Sequence, residues 1–371
     1  MYNLLFEVKI GHYLLVFYAL QSMKNEYKDN YILGIESSCD DTSAAIIKND
    51  TILSNFTANQ KIHEQYGGVV PELASRAHQQ NIIPVIDVAI KKAGISLEQI
   101  DAIAFTRGPG LLGSLLVGTS FAKGLALSLS KPMIEVNHMQ GHILAHFIQE
   151  NDAVEKKPVP QFPFICLTVS GGHTQLVLVK DYYTFEIIGQ TKDDAAGEAF
   201  DKAAKLLNLP YPGGPLVDKL AQTGNSEKFE FTFPQIEEFN YSFSGLKTQF
   251  MYFLDRNKKL NPNFIDENLN DICASYQKHI INYLFKNLIK AAEHYKIKEI
   301  AIAGGVSANS ELRKRLTDVG IEKKWNTYIP KFEYCTDNAA MIAITGYYKF
   351  LKNDFCGQEI APLSRYSVNG G

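Results

Sequence analysis

Phe164-Ile-Cys-Leu-Thr-Val-Ser-Gly-Gly-His-Thr-Gln-Leu-Val-Leu-Val179 is an apolar run, a polar turn and a second apolar run. It reads as strand, glycine turn and returning strand. Tyr31-Ile-Leu-Gly-Ile35, the polar turn Glu36 to Thr42 and Ser43-Ala-Ala-Ile-Ile47 repeat the device earlier in the chain. A hairpin of one design therefore opens each half, which points to structural duplication without an evident sequence repeat. Gln149 to Pro163, charged and proline-containing, reads as the linker or exposed loop between the halves.

Outward from the first hairpin, Ile100 to Thr106 reads as a strand, Ser114 to Leu129 as a buried helix and Met133 to Val136 as a strand. Outward from the second, Ala195 to Leu207 and Leu269 to Tyr295 read as helices. Glu299 to Ala303 is a strand that Gly304-Gly305 breaks, and Asn309 opens a helix. Asp337 starts a last apolar helix through Phe350, where aspartate suits an N-cap. Alternating strands and helices make the fold class α/β.

The 371 residues are 46% hydrophobic, enough for one large or two medium domains with cores of their own. A net charge of −3 leaves no strong basic field for nucleic acid, so RNA binding needs a local patch or a partner. Cys39, Cys166, Cys273, Cys335 and Cys356 are odd in number, widely spaced and without a C-x-x-C, as in reduced cytoplasmic thiols. The first thirty residues differ from the rest. Tyr13 to Leu20 is apolar but too short to span a bilayer. A signal peptide would want a more basic start than Lys9 and a clear cleavage site. The preferred reading is an accessory extension, or an early start codon with Met23 opening the compact chain.

Several motifs carry chemistry. His138-Met-Gln-Gly-His142 puts two imidazoles on one face of a helix, where both can bind one divalent ion. Met139 stands where an H-E-x-x-H protease has its glutamate base, so a metal is indicated without peptide hydrolysis. A packed or solvated pair is the plainer reading. Gly108-Pro-Gly110-Leu-Leu-Gly113 matches G-x-G-x-x-G, with Glu135 placed like a ribose-binding acid. It lies far from the first strand, and Pro109 removes a backbone donor, so a tight turn with close helix packing is preferred.

Ser170-Gly-Gly-His173 can turn successive N–H groups, a hydroxyl and an imidazole toward an anion; an ordinary glycine hairpin is the alternative. Gly304-Gly305 with Asn309 fits a nucleoside packed on glycines at a helix start. Gly213-Gly-Pro215 before Asp218 is another glycine turn ahead of a helix. Asp193, Asp194 and Glu198 suit a helix start, whereas Asp201 stands among small apolar residues. Glu36, Asp40 and Asp41 crowd one turn and repel one another unless a cation, donors or water compensate.

Together, Gly34-Ile-Glu-Ser-Ser-Cys-Asp-Asp-Thr42, Pro71-Glu-Leu-Ala-Ser-Arg-Ala-His78, Arg107-Gly-Pro-Gly110, Asn137-His-Met-Gln-Gly-His142, Val169-Ser-Gly-Gly-His173, Asp193-Asp-Ala-Ala-Gly-Glu-Ala-Phe-Asp201, Phe243-Ser-Gly-Leu-Lys247 and Gly304-Gly-Val-Ser-Ala-Asn309 resemble the TsaD family. That family was once called Gcp or O-sialoglycoprotein endopeptidase. The resemblance runs in order from about Tyr31 to Gly346 and is to the bacterial or organellar branch. Gln140 and Asp41 depart from it, each standing where many members have glutamate.

The resemblance implies a two-lobed actin/Hsp70/sugar-kinase (ASKHA) fold, with duplicated RNase-H-like domains around a cleft. The expected division is an extension (1–30), lobe I (31–160), lobe II (161–336) and a tail (353–371), with the helix of 337–352 returning to lobe I. It implies transfer of threonylcarbamoyl from threonylcarbamoyl-AMP to the exocyclic amine of the adenosine beside the anticodon, in tRNAs reading codons that begin with A. The implied metal ligands are His138, His142 and Asp337, with iron(II) (Fe2+) expected and zinc acceptable to the same ligands. The implied substrate contacts are Val169, Ser170, Gly171, Gly172, His173, Asp201, Gly214, Asp218 and Asn309. Glu36, Asp40 and Asp41 fall in the family's acidic active-site turn. Implied partners are tRNA, the paralogue TsaB and the ATPase TsaE, with TsaC making the adenylate, in the cytoplasm and without a membrane. A metallopeptidase, a kinase of the same fold and a non-catalytic scaffold are the competing readings.

Overall fold

The computed structural model describes residues 29–153, 155–232 and 236–370. Nearly all of the N-terminal extension, including Met23, lies outside the described residues.

β1 (Tyr31–Glu36), β2 (Thr42–Lys48) and β3 (Thr51–Ala58) form an antiparallel meander. β4 (Ala102–Gly108) joins β1 in parallel, β5 (Met133–Asn137) joins β4, and β6 (Gln149–Glu150) pairs with β3. In the second sheet, β7 (Phe164–Val169), β8 (Thr174–Val179) and β9 (Phe185–Gln190) are the antiparallel meander. β10 (Glu299–Ala303) joins β7 in parallel and β11 (Asn326–Tyr328) joins β10. The orders are β5-β4-β1-β2-β3-β6 and β11-β10-β7-β8-β9. Without β6 they correspond strand for strand in order and direction. The duplication expected from the hairpins is thus a duplication of topology, and the molecule is a two-lobed α/β fold.

Parallel neighbours need crossover helices. These are α1 (Pro71–Ala93), α2 (Leu112–Leu129) and α3 (His138–Leu144) in the first half. In the second half they are α4 (Ala196–Leu206), α5 (Gly213–Ala221), α6 (Ser244–Leu260), α7 (Phe264–Tyr295) and α8 (Ser310–Lys323), before the closing α9 (Ala339–Leu351). α2 is long and apolar enough to cross a membrane, but its Ala122 and Ala126 pack into a core with Ile103 and Phe105 of β4.

The strands read as unbroken apolar runs because both faces are covered. Ile32 of β1 enters the core between the sheets, whereas Leu33 and Ile35 enter the outer core under α1 and α2. The core between the sheets joins Val136, Ile143, Cys166, Ala301, Ala339 and Ile342, so α3 and α9 are wedged between the two sheets. α9 lies so close on β1 that a Cβ added to Gly34 would stand 2.4 Å from the carbonyl oxygen of Ala339.

Some boundaries differ from the expectation. Asn338, not Asp337, caps the last helix; its Oδ1 accepts from Met341 N–H at 3.0 Å. The Asp337 carboxylate is therefore available to other groups. Gln149 and Glu150 pair in the sheet through β6, so the exposed segment begins after them. α7 begins at Phe264, a turn before the expected Leu269.

Candidate metal centre and adjoining cleft

Asn137 ends β5 and caps α3, accepting from the N–H groups of Met139 and Gln140. That cap aims the first turn of the helix, and with it His138, at Asp337. His138 Nε2 lies 3.3 Å and His142 Nε2 3.4 Å from Asp337 Oδ1. One ligand atom from each residue falls within 4.8 Å of the others. Both nitrogens of His142 are buried without a hydrogen-bond partner among the described residues. The Asp337 oxygen is near Nε2 but is not aligned to accept from it. Burying an imidazole without partners is costly, and a divalent ion would satisfy its lone pair. Two imidazoles and one carboxylate suit such an ion and leave positions open. The residues fit a metal.

The surrounding field agrees. Burial opposes charge on His138, yet Asp337 and Glu36 raise its pKa well above the ordinary value. Burial likewise opposes the Asp337 carboxylate, and His138 with His142 overcomes it, holding its pKa far below the usual range. A pocket that stabilises positive charge on an imidazole also stabilises a metal cation.

None of Glu36, Asp40 and Asp41 is among the residues that line the cleft, and Glu36 is set furthest from solvent. It is fully buried behind His138. Its Oε2 lies 3.1 Å from His138 Nδ1 and accepts from Thr106 Oγ1 at 2.6 Å, while Oε1 accepts from Ser38 N–H at 2.5 Å. Burial pushes its pKa up, but the charge and hydrogen bond of His138 bring the net shift down. Asp40 and Asp41 follow Cys39, which does line the cleft. Asp41 accepts from Asn59 Nδ2, and burial with the charge of Asp40 pushes its pKa up to about 7. The ends of this turn are pinned by His78, whose Nδ1 meets Thr42 Oγ1 at 2.7 Å and whose Nε2 meets the Cys39 carbonyl at 3.0 Å.

A cavity of about 650 Å³ opens on the triad, lined by His138, Asp337, Ser38, Cys39 and the whole turn Ser170 to His173. Burial, then the nearby histidines, holds His173 near a pKa of about 4, so its ring is neutral at physiological pH. A second pocket shares Gly171 and is lined by Phe200, Asp201, Gly214, Asp218, Val306 and Asn309. Asp201 Oδ1 accepts from the N–H groups of Gly213 and Gly214 at 3.0 and 3.1 Å, the partners that its apolar neighbourhood demands. Asp218 accepts from Ser310, and Asn309 caps α8 while donating to Gln277. Val169 lies beneath, its carbonyl 2.5 Å from where a Gly304 side chain would start. The two pockets thus gather every expected substrate residue except Val169.

The G-x-G-x-x-G stretch serves packing. A Cβ on Gly108 would meet the Leu363 carbonyl oxygen at 1.9 Å, and one on Gly110 the Ser38 carbonyl oxygen at 2.4 Å. Glu135 accepts from Tyr366 and Lys349 and is not placed for a ribose. Met139 is buried, far from any role as a base. The sequence reading missed Ser364 to Ser367 of the tail, which line the metal cavity. No local pattern marks them.

A sequence model of the TsaD family, tRNA N6-adenosine threonylcarbamoyltransferase, matches residues 51–344. The chain belongs to the TsaD family. A family member of Porphyromonas gingivalis is 59% identical over 341 residues, spanning 92% of this chain and 99% of the relative. One of Riemerella anatipestifer is 60% identical over 342 residues, with 92% and 99% covered. Both bear the name tRNA N6-adenosine threonylcarbamoyltransferase. The HypF structure of T. kodakarensis matches with a TM-score of 0.59 at 14% identity, over 90% of this chain and 49% of that one, which is a likeness of fold alone. In this TsaD chain the His138, His142 and Asp337 group is a candidate metal centre.

Proposed function

We propose that this chain transfers the threonylcarbamoyl group of threonylcarbamoyl-AMP to the exocyclic amine of the adenosine beside the anticodon, in tRNAs reading codons that begin with A. The products are threonylcarbamoyladenosine and AMP. The observation that carries this reading is the junction at Gly171, where the cavity at the triad meets the apolar pocket with its Asp201, Asp218 and Asn309. One pocket suits an adenosine, the other the reacting acyl group.

His138, His142 and Asp337 would hold the ion, iron(II) by the family resemblance and zinc as the alternative. When bound, it supplies Lewis-acid polarisation and a template for substrate oxygens. Phe200, Pro215 and Val306 pack the adenine, and Asp201 and Asp218 face the ribose. Gly171 and Gly172 hold the phosphate through their backbone N–H groups, those of Ser170 and His173 being engaged within the turn, and the neutral His173 ring adds to them. The amine attacks the carbamoyl carbon, the bond to the phosphate oxygen breaks, and the amine proton passes to a carboxylate of the acidic turn. Asp41, with its pKa near 7, is suited to that proton; Asp40 beside it sustains the shift. Glu36 is a positioning residue that fixes the His138 ring. Holding the amine against the carbonyl supplies most of the remaining rate, since AMP is already a good leaving group.

The lobes run from 31 to 160 and from 161 to 336, with 337–352 returning to the first and 353–371 as a tail. The enzyme works in the cytoplasm, where its five free cysteines stay reduced. TsaB docks on the α1 and α2 face, where Ile83, Leu112, Leu116 and Leu127 are exposed. TsaE and tRNA complete the assembly, and TsaC supplies the adenylate.

The test is reconstitution: purified chain, TsaB, TsaE, ATP, threonylcarbamoyl-AMP and unmodified tRNA, with digested nucleosides read by mass spectrometry. Threonylcarbamoyladenosine that forms only with this chain present is the expected result. Its absence from metal-loaded, fully assembled protein would overturn the reading.

A further inference from the structure

The C-terminal tail is a strap tied to both lobes. Leu363 N–H donates to the Arg107 carbonyl at 2.8 Å, and Gly110 N–H to the Ser364 carbonyl at 3.2 Å. Asn137 Nδ2 donates to the carbonyls of Tyr366 and Ser367 at 3.3 and 2.8 Å. Gln140 Nε2 holds the Val368 carbonyl at 2.8 Å, and Asn369 Oδ1 accepts from Ile187 N–H of the second sheet. Val368 is buried, and the Tyr366 hydroxyl is fixed on Glu135. The backbone on either side of Arg365 is therefore set by partners far away in the chain.

Arg365 lines the metal cavity and is the one lysine or arginine among the described residues that do. Its guanidinium makes no hydrogen bond or ion pair with any described residue, whereas Arg107 nearby is engaged with Ala361 and Glu135. An arginine fork presents paired donors that match a carboxylate. The donor substrate of the proposed reaction carries two anionic groups. Its phosphate is answered by the turn Ser170 to His173, and its carbamoyl carbonyl by the triad. The threonine carboxylate has no partner among those groups, and Arg365 has none among the described residues.

We propose that Arg365 binds the threonyl carboxylate of the donor and makes the enzyme selective for carbamoyl adenylates bearing a free α-carboxylate. This rests on the transferase reading above.

The experiment compares threonylcarbamoyl-AMP with its threoninamide counterpart, in which a neutral carboxamide replaces the carboxylate. It uses the full chain with its partner proteins and tRNA. Wild type is expected to favour the carboxylate donor by about 10–100-fold in kcat/KM, as a charged hydrogen-bonded pair would give. Arg365→Gln should cut that preference to within a few-fold, chiefly by raising KM for the natural donor, with KM for tRNA unchanged. Arg365→Lys, which keeps the charge and loses the fork, should fall between. A wild type that uses both donors equally overturns the proposal whatever the variants do. So does an Arg365→Gln enzyme that keeps the full preference, or one whose loss lies in KM for tRNA and so marks a phosphate contact to RNA. If wild type makes no modified nucleoside even from the natural donor, the transferase reading itself has failed.

Discussion

Glu36 Oε2 stands 3.1 Å from His138 Nδ1, while His138 Nε2 faces Asp337 Oδ1 at 3.3 Å. One ring nitrogen is thus held by a buried carboxylate so that the other presents its lone pair to the metal position. A carboxylate behind a ligating histidine fixes its tautomer and raises its basicity. Glu36→Gln should lower metal affinity by about 10–100-fold, in the range of such outer partners. Competition with a chelator, read by metal analysis, would show it. Unchanged affinity would mean that the Ser38 hydroxyl, 3.1 Å from His138 Nδ1, suffices to orient the ring.

His142 is buried with no hydrogen bond from a described residue at either nitrogen. His142→Ala should therefore remove more metal affinity than Glu36→Gln, while costing the fold only the cavity it leaves, ~2–4 kcal/mol. Metal content and thermal unfolding, measured on one preparation, separate the two. A variant that binds metal as wild type does would dismiss the triad.

Asp41 should be a liability at high pH. Its pKa is pushed up to about 7 from an ordinary 3.8, chiefly by burial. A raised carboxyl pKa favours the folded state below the ordinary value, and that contribution is lost as pH climbs through the folded value. Asp41→Asn, which can still accept from Asn59, should match wild type near pH 4. It should gain thermal stability up to pH 7 and stay ahead by a constant margin above it. After allowance for partial exposure the gain is about 1 kcal/mol, or ~1–2 °C for a chain of this length. A flat difference across that range would place the carboxylate in solvent.

Gly34→Ala should be among the most damaging small substitutions in the protein. Its Cβ would meet backbone atoms of Ala339 and Ala343 at 2.4 and 2.7 Å, where no side chain can swing away. Overpacking of this kind costs ~1–3 kcal/mol or more. It also lifts the start of α9, and with it Asp337, from β1. Lower melting temperature together with weakened metal binding is expected. A loss of stability with intact metal affinity would mean that Asp337 does not move with the helix.

The hairpins were legible because they are local: apolar runs of strand length around glycine or acidic turns need no distant partner to be read. The step from β5 into His138 was legible for the same reason, as was the Asn309 cap. Asp337 was misread as a cap because Asn338 beside it suits that role equally well, and only the packed helix decides between them. Glu36 was placed with Asp40 and Asp41 by sequence proximity. Strand alternation turns it instead toward Thr106 and His138, some 70 and 102 residues away. Arg365 gives no local signal at all, since the bonds that tie the strap to the rest of the molecule come from more than two hundred residues earlier or from the second sheet.

α3 and α9, wedged between the sheets, also set an order on biosynthesis. The histidines are translated with the first sheet, yet Asp337 arrives only after the last strand of the second. A nascent chain stalled at any earlier point has half a ligand set and an uncovered β1. The candidate ligand set is therefore completed last, and a message that ends early yields a polypeptide without the Asp337 carboxylate.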